Sequence, residues 1–150
     1  MAPYHDSSYN PKEKRKEMRE RHTRYIIAFN DNDIPIGFLL FQFLWLDDDE
    51  DDDAEIEVIY CLEIQMIDEV RGKGLGTFLM NVLEDLGRYW GMKKSVLTAW
   101  KGLIFLLTKE QLTFIATVLG KYIIDGTSPS KYLSGPEATS FNYEILSKVL

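Results

Sequence analysis

Cys61 is the only cysteine in the chain, so no disulfide can close within it. That scarcity suits a reducing compartment, and the expected localisation is cytoplasmic and nuclear. Histidine is nearly as rare. His5 and His22 have no metal-ligand spacing to other histidine, cysteine or carboxylate groups, so no metal is expected. A Ser–His–Asp or Cys–His site finds no support either. No apolar run is long enough to span a bilayer; the nearest, 103–107, stops at Thr108, Lys109 and Glu110. The N-terminus lacks the order of charged, apolar and small residues that marks a signal peptide, and no membrane partner is expected. There is no basic excess: the net charge is −7, so no direct nucleic-acid binding is expected. Nor is there a Gly-Lys-Ser/Thr sequence, which excludes a P-loop.

What is present suffices for one sizeable core. At 150 residues and 45% hydrophobic, the chain reads as a single domain, 1–150. Its start is abrupt, as though N-terminal residues of a longer protein preceded it. Charge is unevenly spread. Residues 12–24 are rich in Lys and Arg, whereas 47–53 is an unbroken acidic run. An acidic surface favours basic partners by steering and local concentration.

Residues 11–24 read as an exposed helix, with Glu13 and Glu17 paired to basic neighbours. Strands are expected at 25–29 and 36–46, joined by the turn residues 30–33, and at 56–67 after an acidic loop. The last of these is nearly continuous in apolar residues, which predicts burial on both faces at the sheet centre. Leu75, Phe78, Leu79, Val82, Leu83, Leu86 and Trp90 then recur at helical spacing, and Gly91 is placed to end that helix. A strand at 95–100, a helix at 103–119, a strand at 122–124, a loop at 126–140 and a strand at 142–146 complete the pattern. The fold class is α/β: one mixed central sheet with antiparallel N-terminal strands, flanked by helices.

The chemistry-bearing feature is a strand followed by Arg71-Gly72-Lys73-Gly74-Leu75-Gly76 and a helix. A helix N-terminus offers free N–H groups and about half a positive charge, which suits a diphosphate. Gly72, Gly74 and Gly76 let phosphates approach the backbone, and Arg71 can add charge-assisted hydrogen bonds. On glycine spacing alone, a plain connecting turn is equally consistent. A dinucleotide fold fits less well, because antiparallel strands come first here.

Glu63-Ile64-Gln65-Met66, followed by Val70 and that glycine motif, resembles the cofactor motif of the GNAT acetyltransferases. Further segments resemble the histone-specific N-terminal acetyltransferases of the NatD type. They are Glu13-Lys14-Arg15-Lys16-Glu17-Met18, Tyr25-Ile26-Ile27-Ala28, Tyr60-Cys61-Leu62-Glu63, Met92-Lys93-Lys94, Asp125-Gly126-Thr127-Ser128-Pro129-Ser130 and Tyr143-Glu144-Ile145-Leu146-Ser147, collinear over nearly the whole chain.

The resemblance implies acetyl-coenzyme A as acetyl donor and the N-terminal α-amine of a histone H4/H2A tail, beginning Ser-Gly-Arg-Gly-Lys, as acceptor. It implies that the backbone of Ile64, Gln65 and Met66 holds the pantetheine arm. The backbone of Gly72, Lys73, Gly74, Leu75, Gly76 and Thr77 would hold the pyrophosphate, and Thr98 is a further cofactor contact. On the substrate side it points to Tyr4, Tyr9, Tyr60 and Tyr143, with Glu63 close to the reacting amine and Tyr60 ordering the water or peptide end. Leu62 stands where a second tyrosine is expected, and Tyr9 where the family has an indole. The Asn usually found after the 95–100 strand, and the Tyr many GNAT enzymes use as general acid, have no counterpart. Segment 126–150 would narrow the groove around a peptide terminus.

Each residue also has a plainer reading. Glu63 buried without a partner would become a better base; alternatively it is a structural carboxylate paired with a Lys, Arg or tyrosine hydroxyl. Tyr60 and Tyr143 are otherwise packing residues. Asp47, nearest the ordered strand, is expected to help hold the tail's cation a few ångströms beyond the tyrosines. Competing functions are a GNAT enzyme for a small amine or lysine side chain, and a non-catalytic binder of basic tails.

Overall fold

The computed structural model describes residues 10–48, 50–51, 53–100, 122–128, 131 and 143–150. Tyr4, Tyr9, the helix expected at 103–119 and most of the loop expected at 126–140 lie outside these residues.

The first helix, α1 (Pro11–Met18), begins as its sequence dictates. Pro11 presets the first helical φ, and the Asn10 side chain accepts from Lys12 N–H at 3.0 Å. It ends six residues short of the expected 24. Thr23 Oγ1 donates to the Glu17 carbonyl at 3.0 Å, and the Tyr25 hydroxyl donates to that of Met18. Terminal carbonyls satisfied from outside need no further turn of helix, and the charge pattern carries no sign of that.

Strands β1 (Arg24–Phe29) and β2 (Pro35–Asp47) form an antiparallel hairpin. Asn30 closes its turn, its side-chain oxygen accepting from Asn32 N–H at 2.9 Å and Ile34 N–H at 3.0 Å. The acidic run links β2 to antiparallel β3 (Glu55–Met66), with Asp48 N–H donating to the Ala54 carbonyl at 2.8 Å. A single 3₁₀ turn (Asp68–Val70) leads to α2 (Leu75–Tyr89) and then to β4 (Lys94–Trp100), parallel to β3. Strands β5 (Ile123–Ile124) and β6 (Tyr143–Val149) are antiparallel to each other, and β6 to β4. Among the described residues the sheet has six strands in the order β1-β2-β3-β4-β6-β5. That is the mixed α/β domain the sequence predicts.

On one face α2 inserts Leu79, Met80 and Leu83 against Leu39, Phe41, Ile59, Cys61 and Leu97. Helix and sheet meet tightly at Gly87, where a Cβ would come within 2.9 Å of Ile59 and 2.5 Å of Leu150. Phe78 and Trp90 share the helical spacing of the core residues yet are exposed, since the stripe is wider than the sheet surface it covers. Adjacent Val58 and Ile59 are both fully buried, so β3 is covered on both faces there, as a central strand should be. The buried carboxylate of Glu84 is paired, with Lys148 Nζ at 2.5 Å and the Tyr122 hydroxyl donating at 3.2 Å.

Candidate active site

The site begins with an irregularity in the β2–β3 ladder. Gln42 faces Tyr60 and Phe41 faces Cys61, but Leu40 faces Glu63, which leaves Leu62 as an extra residue in a β-bulge. Side chains alternate across a strand, so residues three apart ordinarily point to opposite faces. The bulge resets that alternation. Cys61 and Ile64 both join the α2 side of the sheet. Tyr60 and Glu63 therefore share the other face, towards α1, where Gln42 Nε2 donates to Thr23 Oγ1 at 3.0 Å.

Glu63 is not isolated but paired with a lysine, one of the two arrangements its sequence allows. Its Oε2 lies 2.5 Å from Lys14 Nζ, and Gln65 Nε2 donates to Oε1. Oε2 is buried and, among the described residues, finds no properly directed hydrogen bond, so the Lys14 contact is an ion pair by proximity. Lys14 also pairs with Glu17 Oε2 at 2.9 Å, one of the pairs expected on α1. Burial alone would lower the Lys14 pKa. The close negative charges of Glu63 and Glu17, with the hydrogen bond Lys14 donates to Glu17, outweigh it and hold the ammonium above the ordinary lysine value.

Tyr60 and Thr98 are brought together: the tyrosine hydroxyl and Thr98 Oγ1 are hydrogen-bonded across β3 and β4. That contact sits where the two strands part. Their parallel ladder runs from Val58↔Lys94 to Cys61↔Leu97. Beyond it β3 continues beside β2, through Ile64↔Leu39 and Gln65↔Phe38 to Met66↔Gly37, while β4 continues beside β6. Among the described residues no strand pairs with the β4-facing edge of β3 from Leu62 to Met66. Backbone amides on such an edge need a partner, and an extended amide-bearing arm can supply one in the manner of an added strand.

The same strand leads into the glycine turn. Gly72 and Gly74 have φ of 71° and 85°, in the left-handed region that favours glycine. Gly74 is the N-cap of α2 and provides no side-chain oxygen, so the first N–H groups of a fifteen-residue helix receive no cap from that residue. A Cβ at Gly74 would meet nothing within 4 Å, so the protein itself requires glycine there for its φ, not for space. Gly72, Lys73 and Gly74 are exposed, Leu75 and Thr77 half-buried and Gly76 buried. This arrangement fits a diphosphate. Arg71 is engaged otherwise, with Nη1 2.8 Å from Asp68 Oδ1 and Nη2 donating to the Met66 carbonyl at 3.3 Å, which ties the turn to the end of β3.

Other expected site residues fall elsewhere. Asp47 is exposed at the far end of β2, opposite Glu55. From Gln42, which faces Tyr60, to Asp47 is five residues, and from Leu40, which faces Glu63, seven, roughly 17 and 23 Å of extended strand. A position a few ångströms from the tyrosines does not hold, because β2 carries the acidic run away from the bulge. Tyr143 starts β6 opposite Trp100, on the strand next to Thr98. Cys61 lies in the core, and burial pushes its thiol up to about 12, leaving no thiolate nucleophile near neutral pH. No group of three or more metal-ligating side chains occurs among the described residues. Sequence reasoning missed Lys14 as a site residue. Its spacing to Glu17 is legible, but nothing local signals its reach to Glu63.

The pattern that defines the acetyltransferase (GNAT) family matches residues 1–102. The chain belongs to that family. Solved structures agree in fold. Nourseothricin acetyltransferase matches at 16% identity and a TM-score of 0.55, over 86% of this chain and 66% of its own. A chain of the NatC complex bound to Gag peptide and CoA matches at 14% identity and 0.56, over 84% and 70%. PaiA N-acetyltransferase from Thermoplasma acidophilum, in complex with coenzyme A, matches at 13% identity and 0.54, over 96% and 82%. This chain thus spans just under two thirds of the nourseothricin enzyme, at 66% of its length. At such identities the likeness is one of GNAT fold, and these GNAT neighbours include chains solved with coenzyme A.

Proposed function

We propose that this chain transfers an acetyl group from acetyl-coenzyme A to an amine, and that the amine is the N-terminal α-amine of a histone H4/H2A-type tail in the cytoplasm and nucleus. The observation that carries the reading is the parting of β3 and β4 beyond Cys61 and Leu97, with Tyr60, Thr98 and Glu63 at the opening. In this reading the edge formed by Ile64, Gln65 and Met66 receives the pantetheine arm. The start of α2, with Gly72 to Thr77, receives the pyrophosphate.

Acetyl-coenzyme A supplies the activated acyl group as a thioester. Glu63 takes the proton shed as the amine nitrogen bonds to the carbonyl carbon, the C–S bond breaks, and a proton from solvent completes the thiol. A free α-amine has a pKa of about 8, so a carboxylate or water chain is a sufficient acceptor. Tyr60, fixed by Thr98, orders the peptide end. In this reading the tail's small first residue enters the opening between β3 and β4, and Tyr143, on the neighbouring β6, belongs to the substrate side.

A second reading, an acetyltransferase of a small amine or lysine side chain, draws on the likeness to nourseothricin acetyltransferase. One assay separates them: acetyl transfer to a Ser-Gly-Arg-Gly-Lys peptide, to the same peptide blocked at its N-terminus, and to free small amines. Transfer to the free terminus alone supports the tail reading. Equal transfer to the blocked peptide points to lysine, and transfer to small amines alone sinks the tail reading.

A further inference from the structure

Helix α1 buries no residue of its own, yet one of its side chains reaches the centre of the site. Lys14 Nζ lies 2.5 Å from Glu63 Oε2 and 2.9 Å from Glu17 Oε2. The Lys14 side chain is 24% exposed and that of Glu63 19%, so this is not a solvated surface pair of negligible weight. Gln65 Nε2 holds the other carboxylate oxygen. The carboxylate of Glu63 is thereby fixed from two sides, by a neighbour on its own strand and by a cation on a separate element. Two carboxylates and one ammonium carry a single net negative charge, which one arriving ammonium would balance. An α-amine with a pKa of about 8 arrives mostly in that form at pH 7; it gives that proton to solvent before the neutral nitrogen attacks and sheds its second proton to Glu63.

We propose that Lys14 is a positioning residue for the acceptor amine: it fixes the Glu63 carboxylate from the α1 side and, with Glu17, leaves the cluster one cation short. The inference rests on the reading of Glu63 as the group beside the reacting amine. It assigns to α1 a role in the reaction that the helix's charge pattern does not suggest. It also explains why an exposed helix places a lysine, instead of an apolar side chain, over the sheet.

The test is steady-state kinetics of the full chain with acetyl-coenzyme A and the Ser-Gly-Arg-Gly-Lys peptide, alongside titration with coenzyme A. The variants are Lys14→Met, Lys14→Gln, Lys14→Arg, Glu63→Gln and the double variant of Lys14→Met with Glu63→Gln. The two neutral substitutions are expected to lower kcat on the order of tenfold without changing coenzyme A affinity, and Lys14→Arg to recover most of it. Lys14→Met should have no further effect once Glu63 is Gln, because its influence passes through that carboxylate. A loss of equal factor in both backgrounds would mean that Lys14 only fastens α1, and overturns the proposal. So does parental kcat in both neutral variants while Glu63→Gln is impaired. Parental kcat in Glu63→Gln removes the reading of Glu63 itself, and the proposal with it, a result distinguishable from the other two.

Discussion

Tyr60 and Glu63 stand three residues apart on β3 and present their side chains on the same face of the sheet, because Leu62 bulges between them. Tyr60 is hydrogen-bonded to Thr98 and Glu63 is ion-paired with Lys14, so this face gathers contributions from β4 and α1 as well as β3. Bulges re-aim side chains in this way, and here the result is a tyrosine and a carboxylate at the mouth of a parted pair of strands.

The Tyr60–Thr98 bond gives a direct test of that mouth. Tyr60→Phe keeps the ring and removes the hydroxyl, while Thr98→Val removes its partner. Each is expected to reduce kcat/KM by about tenfold, as the loss of one hydrogen bond of roughly 1–1.5 kcal/mol implies. The double variant should be little worse than either single one, since both remove the same bond. Fully multiplicative losses would show that the two side chains act separately.

At the start of α2, backbone conformation is what matters. Gly74→Val forces a β-branched residue to φ of 85° and should weaken coenzyme A binding, leaving the core packing intact. Gly74→Asn, which tolerates the left-handed region, should bind closer to the parent. Isothermal titration with coenzyme A reads both. Equal affinity for parent and Gly74→Val would remove this turn from the cofactor site.

Asp125 sets an acid limit on stability. Its carboxyl is buried, which would raise its pKa. Hydrogen bonds from Ser147 and from Thr127, with Lys94 nearby at 3.3 Å, outweigh burial and hold it below the ordinary aspartate value. A carboxyl depressed in the folded state stabilises it above its unfolded pKa of about 3.9 and loses that contribution as pH falls through the folded value. The parent should therefore exceed Asp125→Asn in melting temperature at neutral pH, and the gap should narrow below about pH 4. A gap that stayed constant from pH 7 to pH 3 would contradict the assignment.

The acidic run should act at a distance or not at all. Asp47 is separated from the strand position opposite Glu63 by seven residues, well beyond the screening length of about 8 Å at physiological salt. Asp47→Asn alone should leave KM for the tail peptide unchanged. Neutralising 47–53 should raise KM at low ionic strength, with the curves converging near 0.15 M through loss of long-range attraction. A large effect of Asp47 alone at physiological salt would restore it as a contact.

Local sequence determined the elements. The period of Leu75, Leu79, Leu83 and Leu86 fixes α2, Asn30 fixes the first hairpin turn, and Gly72 and Gly74 fix a turn that most other residues cannot adopt. The nearly continuous apolar pattern of β3 placed it inside the sheet, because water-facing strands alternate. Those signals are carried by neighbours in the chain, so the chain alone reveals them.

The site depended on contacts between distant residues. Nothing in Tyr60-Cys61-Leu62-Glu63 announces the bulge, since either register keeps an apolar residue in the core; pairing with Leu40 and Phe41 decides it. The early stop of α1 came from Thr23 and Tyr25 capturing its last carbonyls. Lys14 has the sequence context of an ordinary exposed lysine, and only the fold brings its ammonium to Glu63. Asp47 shows the converse: an acidic run that read as adjacent to the tyrosines is carried to the far end of a long strand. Periodicity and turn chemistry are local free energies written residue by residue, whereas register, ion pairing and distance between elements are fixed only when the whole sheet closes around its core.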